Sequence, residues 1–81
     1  MPKKLRTLSG DEVVSVFQKL GFAISYAKGS HCKLSRIVGG EKQVLVVPQH
    51  NSIAKGTIKS IYRKAVPCVG EEKLKPLFYT D

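Results

Sequence analysis

Apolar residues along this chain follow two rhythms, helical at both ends and alternating between them. Val13, Val16, Phe17 and Leu20 stand three and four residues apart, which puts them on one face of a helix. Ser9 offers a side-chain oxygen to the open N–H groups of the first turn, Glu12 completes a capping box, and Leu8 can staple onto Val13. Gly21 supplies the stop. From Phe22 the period drops to two: Phe22, Ile24 and Tyr26 alternate with Ala23, Ser25 and Ala27, the pattern of a strand. Lys28-Gly29-Ser30 reads as a turn. His31 to Ile37 reads as a second strand, with Cys32 and Leu34 on one face and His31, Lys33 and Ser35 on the other. Gly39-Gly40 suits a hairpin connection, and the β-branched run from Gln43 to Val47 suits a third strand ended by Pro48. Beyond the polar loop Gln49-His50-Asn51-Ser52, residues Ile58, Ile61, Tyr62 and Ala65 return to helical spacing. They predict a helix that starts near Gly56-Thr57 and stops at Pro67. The tail from Val69 to Asp81 has room for one further helical turn before Pro76.

The predicted order is α-β-β-β-α, an α+β fold. A three-stranded antiparallel meander needs its apolar face covered, and two amphipathic helices packed on that one face would cover it. This arrangement resembles that of double-stranded-RNA-binding domains, although a fold never settles a function. Eighty-one residues make one domain, with a core over about residues 5–66 and a C-terminal extension over 67–81. A chain this short buries only about 60–65% of the surface its unfolded form exposes, so the core is lean and most charges stay in water.

Charge narrows the function. The chain carries 14 Lys and Arg against 6 Asp and Glu, a net charge of +8. Twelve of the basic residues and only three of the acidic ones precede Glu71. Such a field attracts polyanions, nucleic acid first and an anionic membrane second, whereas a surface charged only for solubility needs no such imbalance. The N-terminus, Met1-Pro2-Lys3-Lys4, has no apolar targeting segment behind it, and no stretch approaches the ~18 apolar residues that span a bilayer. A cytoplasmic protein without membrane association is expected. Two cysteines, Cys32 and Cys68, are too few for a disulfide framework and fit a reducing compartment. No metal site is expected either: His31 and Cys32 are adjacent in a strand and point to opposite faces, and neither C-x-x-C nor H-x-x-x-H spacing occurs.

Gly29-Ser30-His31 is the sharpest local feature. Glycine permits a tight turn, Ser30 offers a hydroxyl, and His31 opens the strand on the face it shares with Lys33 and Ser35. Imidazole, with a reference pKa of ~6.5, suits proton transfer near neutral pH. Cleavage of RNA by its own 2′-hydroxyl needs a base, an acid and cations beside the phosphate, and Lys28 and Lys33 are placed for the last role. A surface histidine after a turn is the plainer reading of the tripeptide alone. Lys55, Lys59 and Arg63 fall at i, i+4 and i+8, one basic stripe opposite the apolar face of the second helix. That helix opens at Lys55-Gly56-Thr57, where free N–H groups and the helix dipole favour phosphate. A charge run on a helix is often only its solvated face, but no acidic residue lies between Lys42 and Glu71 to neutralise this one. His50 is either a second acid–base group or a residue that pins its loop by a hydrogen bond. Phe17 and Tyr62 belong to the core, while the hydroxyl of Tyr26 needs a wet end.

Together these residues resemble the HicA (YcfA-like) family of type II toxin mRNA interferases. The resemblance rests on Ser9-Gly10-Asp11-Glu12, Leu20-Gly21-Phe22, Gly29-Ser30-His31, Val46-Val47-Pro48-Gln49-His50 and Lys55-Gly56-Thr57-Ile58-Lys59-Ser60-Ile61, five elements in order across residues 5–66. The segment Pro67-Cys68-Val69-Gly70 and the tail from Glu71 depart from it. The resemblance implies a double-stranded-RNA-binding-like fold, cleavage of mRNA with no cofactor, and neutralisation by a HicB-like antitoxin. It also implies that the catalytic histidine is His31. Lys28, Ser30, Lys33, Lys55, Lys59 and Arg63 are then the expected RNA contacts. The rival expectations are a non-catalytic RNA-binding module of the same fold and a domain whose basic surface only docks an acidic partner.

Overall fold

The computed structural model describes residues 4–80. The lead-in Met1-Pro2-Lys3, read above as part of an N-terminus with no apolar targeting segment behind it, lies outside the described residues, as does Asp81. The elements run β1 (Lys4–Leu5), α1 (Gly10–Lys19), β2 (Ala23–Lys28), β3 (His31–Val38), β4 (Glu41–Pro48), α2 (Lys55–Val69), α3 (Glu71–Phe78) and β5 (Tyr79–Thr80). The predicted α-β-β-β-α order is present, with β2, β3 and β4 forming an antiparallel meander in sequence order.

α1 starts where its capping residues require. The Ser9 hydroxyl accepts from the Glu12 N–H at 3.2 Å, and the Glu12 carboxylate accepts from the Ser9 N–H at 3.0 Å. That backbone N–H, and then the Ser9 hydroxyl, hold the Glu12 carboxyl below its ordinary range. Both meander turns are two residues long. Gly39 and Gly40 both take positive φ (59° and 81°), as a type I′ turn demands.

α1 and α2 both cover the inner face of the sheet. Cys32, Leu34, Leu45 and Val47 supply the sheet's side of the core, against Val13, Val14 and Phe17 of α1 and Ile58, Ile61, Tyr62 and Ala65 of α2. Five of the six aromatic rings form one connected chain. Phe22 stands edge-on to Phe17 at 5.5 Å, Phe17 meets Phe78 at 5.8 Å, Phe78 meets Tyr62 at 5.6 Å, and Tyr62 meets Tyr79 at 5.3 Å. Beyond the last β2–β3 pair, where only β3 and β4 continue, Arg36 ties three elements together. Its guanidinium donates to Gln43 Oε1 of β4, to the Leu20 carbonyl that ends α1, and to the Cys68 carbonyl near the end of α2. It also lies 4.8 Å over the Phe22 ring. A cation that satisfies two helix C-terminal carbonyls suits both helix dipoles.

The C-terminal region departs from the sequence reading. The second helix does not stop at Pro67 but runs through it to Val69, and a third helix runs through Pro76 to Phe78. Each proline removes one i→i−4 bond, and each lies on an exposed face where the freed carbonyl need not be buried, so neither breaks its helix. What compensates is burial. Leu74 and Phe78, one helical turn apart, are both 0% exposed and sit in the same core as Phe17 and Tyr62, so the tail is not an appendage to it. Gly70 turns the chain between the two helices at φ 95°, and the Tyr62 hydroxyl donates to the Glu71 carboxylate at 3.2 Å. β5 then pairs antiparallel with β1, which joins the two ends of the chain. No helix among the described residues is long and apolar enough to cross a membrane.

Candidate functional site on the open face of the sheet

With both helices on one side, the other face of the meander is open. Its outward side chains form rows across the strands. Lys28, His31 and Pro48 make the first row, Tyr26, Lys33 and Val46 the second, and Ala23, Ser35 and Val44 the third. Directly opposed residues in such rows have Cβ atoms roughly 5 Å apart, and diagonal ones about 7–8 Å. His31 therefore has Lys28 beside it and Lys33 two positions along its own strand, and all three are exposed. Glu41 is the one carboxylate in the three strands, and it lies at the far turn opposite Val38 on the other phase of the pleat.

The chain holds His31 from both sides. Gly29 occupies the first position of a two-residue turn at φ 58°, a conformation that glycine adopts without strain, and Lys28 and His31 close the turn as a strand pair. The Ser30 carbonyl accepts the Gln49 N–H, which fastens the turn to the exit of β4. That exit is in turn fastened to α1: the Gly10 N–H donates to the His50 carbonyl at 2.8 Å. A Cβ at Gly10 would collide with the Pro48 carbonyl oxygen and stand 2.7 Å from Gln49 Cα, so only glycine lets the helix start come this close. The loop is thus pinned by main-chain bonds. They leave the His50 side chain in solvent, two residues beyond the cross-strand partner of His31.

The expected RNA contacts divide into two groups. Lys28, Ser30 and Lys33 share the neighbourhood of His31. Lys55 and Lys59 lie on the helical layer instead, where they line an open groove of about 680 Å³ with Gly56 and the terminal segments Lys4–Thr7 and Tyr79–Thr80. Arg63 is exposed further along α2 and does not line that groove. The first turn of α2 has no side-chain cap and no acidic residue, so its N–H groups face the groove end of the helix uncapped. Lys4 and Arg6 add charge there, and nothing in the sequence pointed to them. They reach the groove only because β1 pairs with the tail.

Two further residues change meaning in three dimensions. The Cys32 thiol is buried on the inner face, and burial, with Asp11 adding to it, pushes its pKa up. It stays a neutral core side chain, on the side of the sheet opposite His31. Tyr26 moves the other way. The alternation Phe22, Ile24, Tyr26 put all three on one face, but a bulge between Ile24 and Tyr26 resets the register, so Ile24 pairs with Leu34 and Tyr26 with Lys33. The Ser25 hydroxyl donates to the Lys33 carbonyl at 3.2 Å across the bulge. Tyr26 consequently stands on the His31 face, 56% exposed.

A family model described as the HicA toxin of bacterial toxin–antitoxin systems matches residues 10–66. This chain belongs to the HicA toxin family. The match begins at the first residue of α1 and ends inside α2, so it spans the sheet and the Gly29-Ser30-His31 turn and leaves out β1, α3 and β5. Comparison with curated proteins and with solved structures returned no match. A HicA toxin is one half of a two-protein system, and membership implies an antitoxin partner.

Proposed function

We propose that this HicA-family toxin is an endoribonuclease, an mRNA interferase that needs no cofactor and uses His31 as its acid–base group. The observation that supports this reading is the row Lys28–His31–Pro48 beside Lys33: an exposed imidazole flanked by two ammonium groups on a face whose nearby rows carry no carboxylate. In the reaction the 2′-oxygen of a ribose attacks the adjacent phosphorus. The new P–O2′ bond forms as the P–O5′ bond breaks, which leaves a 2′,3′-cyclic phosphate on one fragment and a 5′-hydroxyl on the other. One proton leaves O2′ for a base and one reaches O5′ from an acid. His31 carries such a transfer, while Lys28 and Lys33 stabilise the charge that builds on the phosphoryl oxygens. His50 is the candidate for the second transfer. With a single imidazole in the row, turnover is low, which a toxin acting on cytoplasmic mRNA tolerates. Incubating the purified chain with single-stranded RNA and a chelator tests this: fragments with cyclic-phosphate ends are expected. Tight binding with no cleavage would leave the non-catalytic RNA-binding module as the correct reading.

Lys55, Lys59 and Arg63 belong to the same proposal as backbone contacts. An RNA strand on the sheet face reaches them by passing over the end of the sheet at Pro48. If they neutralise phosphates, log affinity for single-stranded RNA falls with log salt at a slope near −0.7 per phosphate, and each Lys→Ala or Arg→Ala change flattens it by about that amount. Unchanged slopes in all three variants would confine the RNA path to Lys28 and Lys33.

The antitoxin, taken to be HicB-like, is proposed to cover the His31 face, because occupying that face blocks cleavage without any conformational change. RNA and antitoxin then compete. Titrating the toxin–antitoxin complex with labelled uncleavable RNA should show displacement. A ternary complex with undiminished RNA affinity would place the antitoxin elsewhere.

A further inference from the structure

The bulge at Ser25 gives the open face a component that the acid–base chemistry does not use. Tyr26 is the one aromatic ring left out of the core chain, and it stands in the outward row with Lys33 and Val46, both exposed. His31 is its diagonal neighbour across β2 and β3, a separation of about 7–8 Å at Cβ that an aromatic side chain can span. We propose that Tyr26 is a base-stacking subsite, which holds one nucleobase of a single RNA strand while Lys28 and Lys33 hold the neighbouring phosphates and His31 faces the ribose–phosphate link between them.

This inference rests on RNA being the ligand and adds how it is held. An exposed phenol beside an aliphatic side chain offers an apolar platform, and the cations around it call for an anionic ligand. Single-stranded RNA supplies both, a flat base and a phosphate in each nucleotide. An acidic protein would match the lysines but would give the ring a planar partner only where it also carried an aromatic or arginine side chain. A duplex fits less well because its bases are already stacked and its 2′-oxygen, phosphorus and 5′-oxygen are held out of line. Splaying one base onto Tyr26 would free the adjacent linkage to reach the in-line geometry. Tyr26 is thus a positioning residue, with no proton to transfer.

The test uses a short RNA with 2′-O-methyl groups, which cannot undergo internal attack, and the same strand with one abasic site moved along it. Tyr26→Ala should weaken binding of the intact strand by roughly 5- to 150-fold, the range for one lost base–aromatic stack, while Tyr26→Phe should bind as the unmodified protein does. The loss should be the same at every salt concentration, because no charge is removed. For the unmodified protein one abasic position should reproduce the loss, and on that strand Tyr26→Ala should cost nothing more. The chain has no tryptophan, so Tyr26→Trp provides a single reporter whose fluorescence should be quenched by the intact strand only. Should Tyr26→Ala not fold, the abasic scan and the Tyr26→Trp quenching decide the matter. Equal affinity of Tyr26→Ala and the unmodified protein would overturn the proposal, as would an equal loss on intact and abasic strands. A loss of antitoxin affinity with RNA affinity intact would also overturn it and assign the ring to protein docking. Tyr26-dependent binding without cleavage would remove the nuclease and keep the subsite, and cleavage with Tyr26-independent binding would do the reverse.

Discussion

His31→Ala is expected to lower RNA cleavage by about 10²–10⁴-fold, the usual cost of removing a positioned general acid or base, and to abolish growth arrest on expression. Fold and RNA affinity should hardly change. The side chain stands on the exposed face, while its neighbour Cys32 faces the core, so its truncation opens no cavity and stability should move by less than about 1 kcal/mol. On the proposed reading affinity rests on the lysines, Arg63 and Tyr26, all of which remain. Measuring single-turnover cleavage alongside thermal melting and oligonucleotide binding separates these quantities. His31→Gln repeats the experiment with a side chain that still hydrogen-bonds but moves no proton near neutral pH. His50→Ala is the control, with a milder loss expected because its loop is held by main-chain bonds that the substitution leaves in place. Either His31 variant keeping half the activity would sink the proposed mechanism.

Phe78→Ala should have the largest effect on stability, about 3–5 kcal/mol. The ring is fully buried and links α1 to α2, meeting Phe17 at 5.8 Å and Tyr62 at 5.6 Å. A chain of this length has total stability on the order of 4–12 kcal/mol at 0.05–0.15 kcal/mol per residue, so the loss is a large share of the whole. At about 4–8 °C per kcal/mol for a small domain, the melting temperature should fall by at least about 12 °C. A fall of less than about 4 °C in a circular-dichroism melt would show that α3 is not part of the core. The experiment matters because the family match ends at Val66, yet Leu74 and Phe78 beyond it are among the most deeply buried side chains.

Much of the molecule was legible from the sequence because its signals are local. The Ser9–Glu12 capping box, the helical spacing of Val13, Phe17 and Leu20, and the paired glycines at 39–40 each act within a few residues, so they read the same in the chain and in the fold. The alternation in β3 likewise placed His31, Lys33 and Ser35 opposite Cys32 and Leu34 without error. Local signals also misled where a distant partner outweighed them. Pro67 and Pro76 read as helix ends, but burying Leu74 and Phe78 against Phe17 and Tyr62 offsets one lost hydrogen bond at each proline.

The sequence by itself therefore determined the element order, the inward and outward faces of the central strand, the excess of positive charge and the Gly29-Ser30-His31 turn. Only the tertiary structure decided which cations share a surface. Lys33 shares the His31 face along one strand and pairing across the turn sets Lys28 beside it, whereas Lys55 and Lys59 join Lys4 and Arg6 in a groove that exists because β1 pairs with β5. It also decided the side on which Tyr26 stands, because a bulge shifts the register by one residue and a period of two turns every such shift into a change of face.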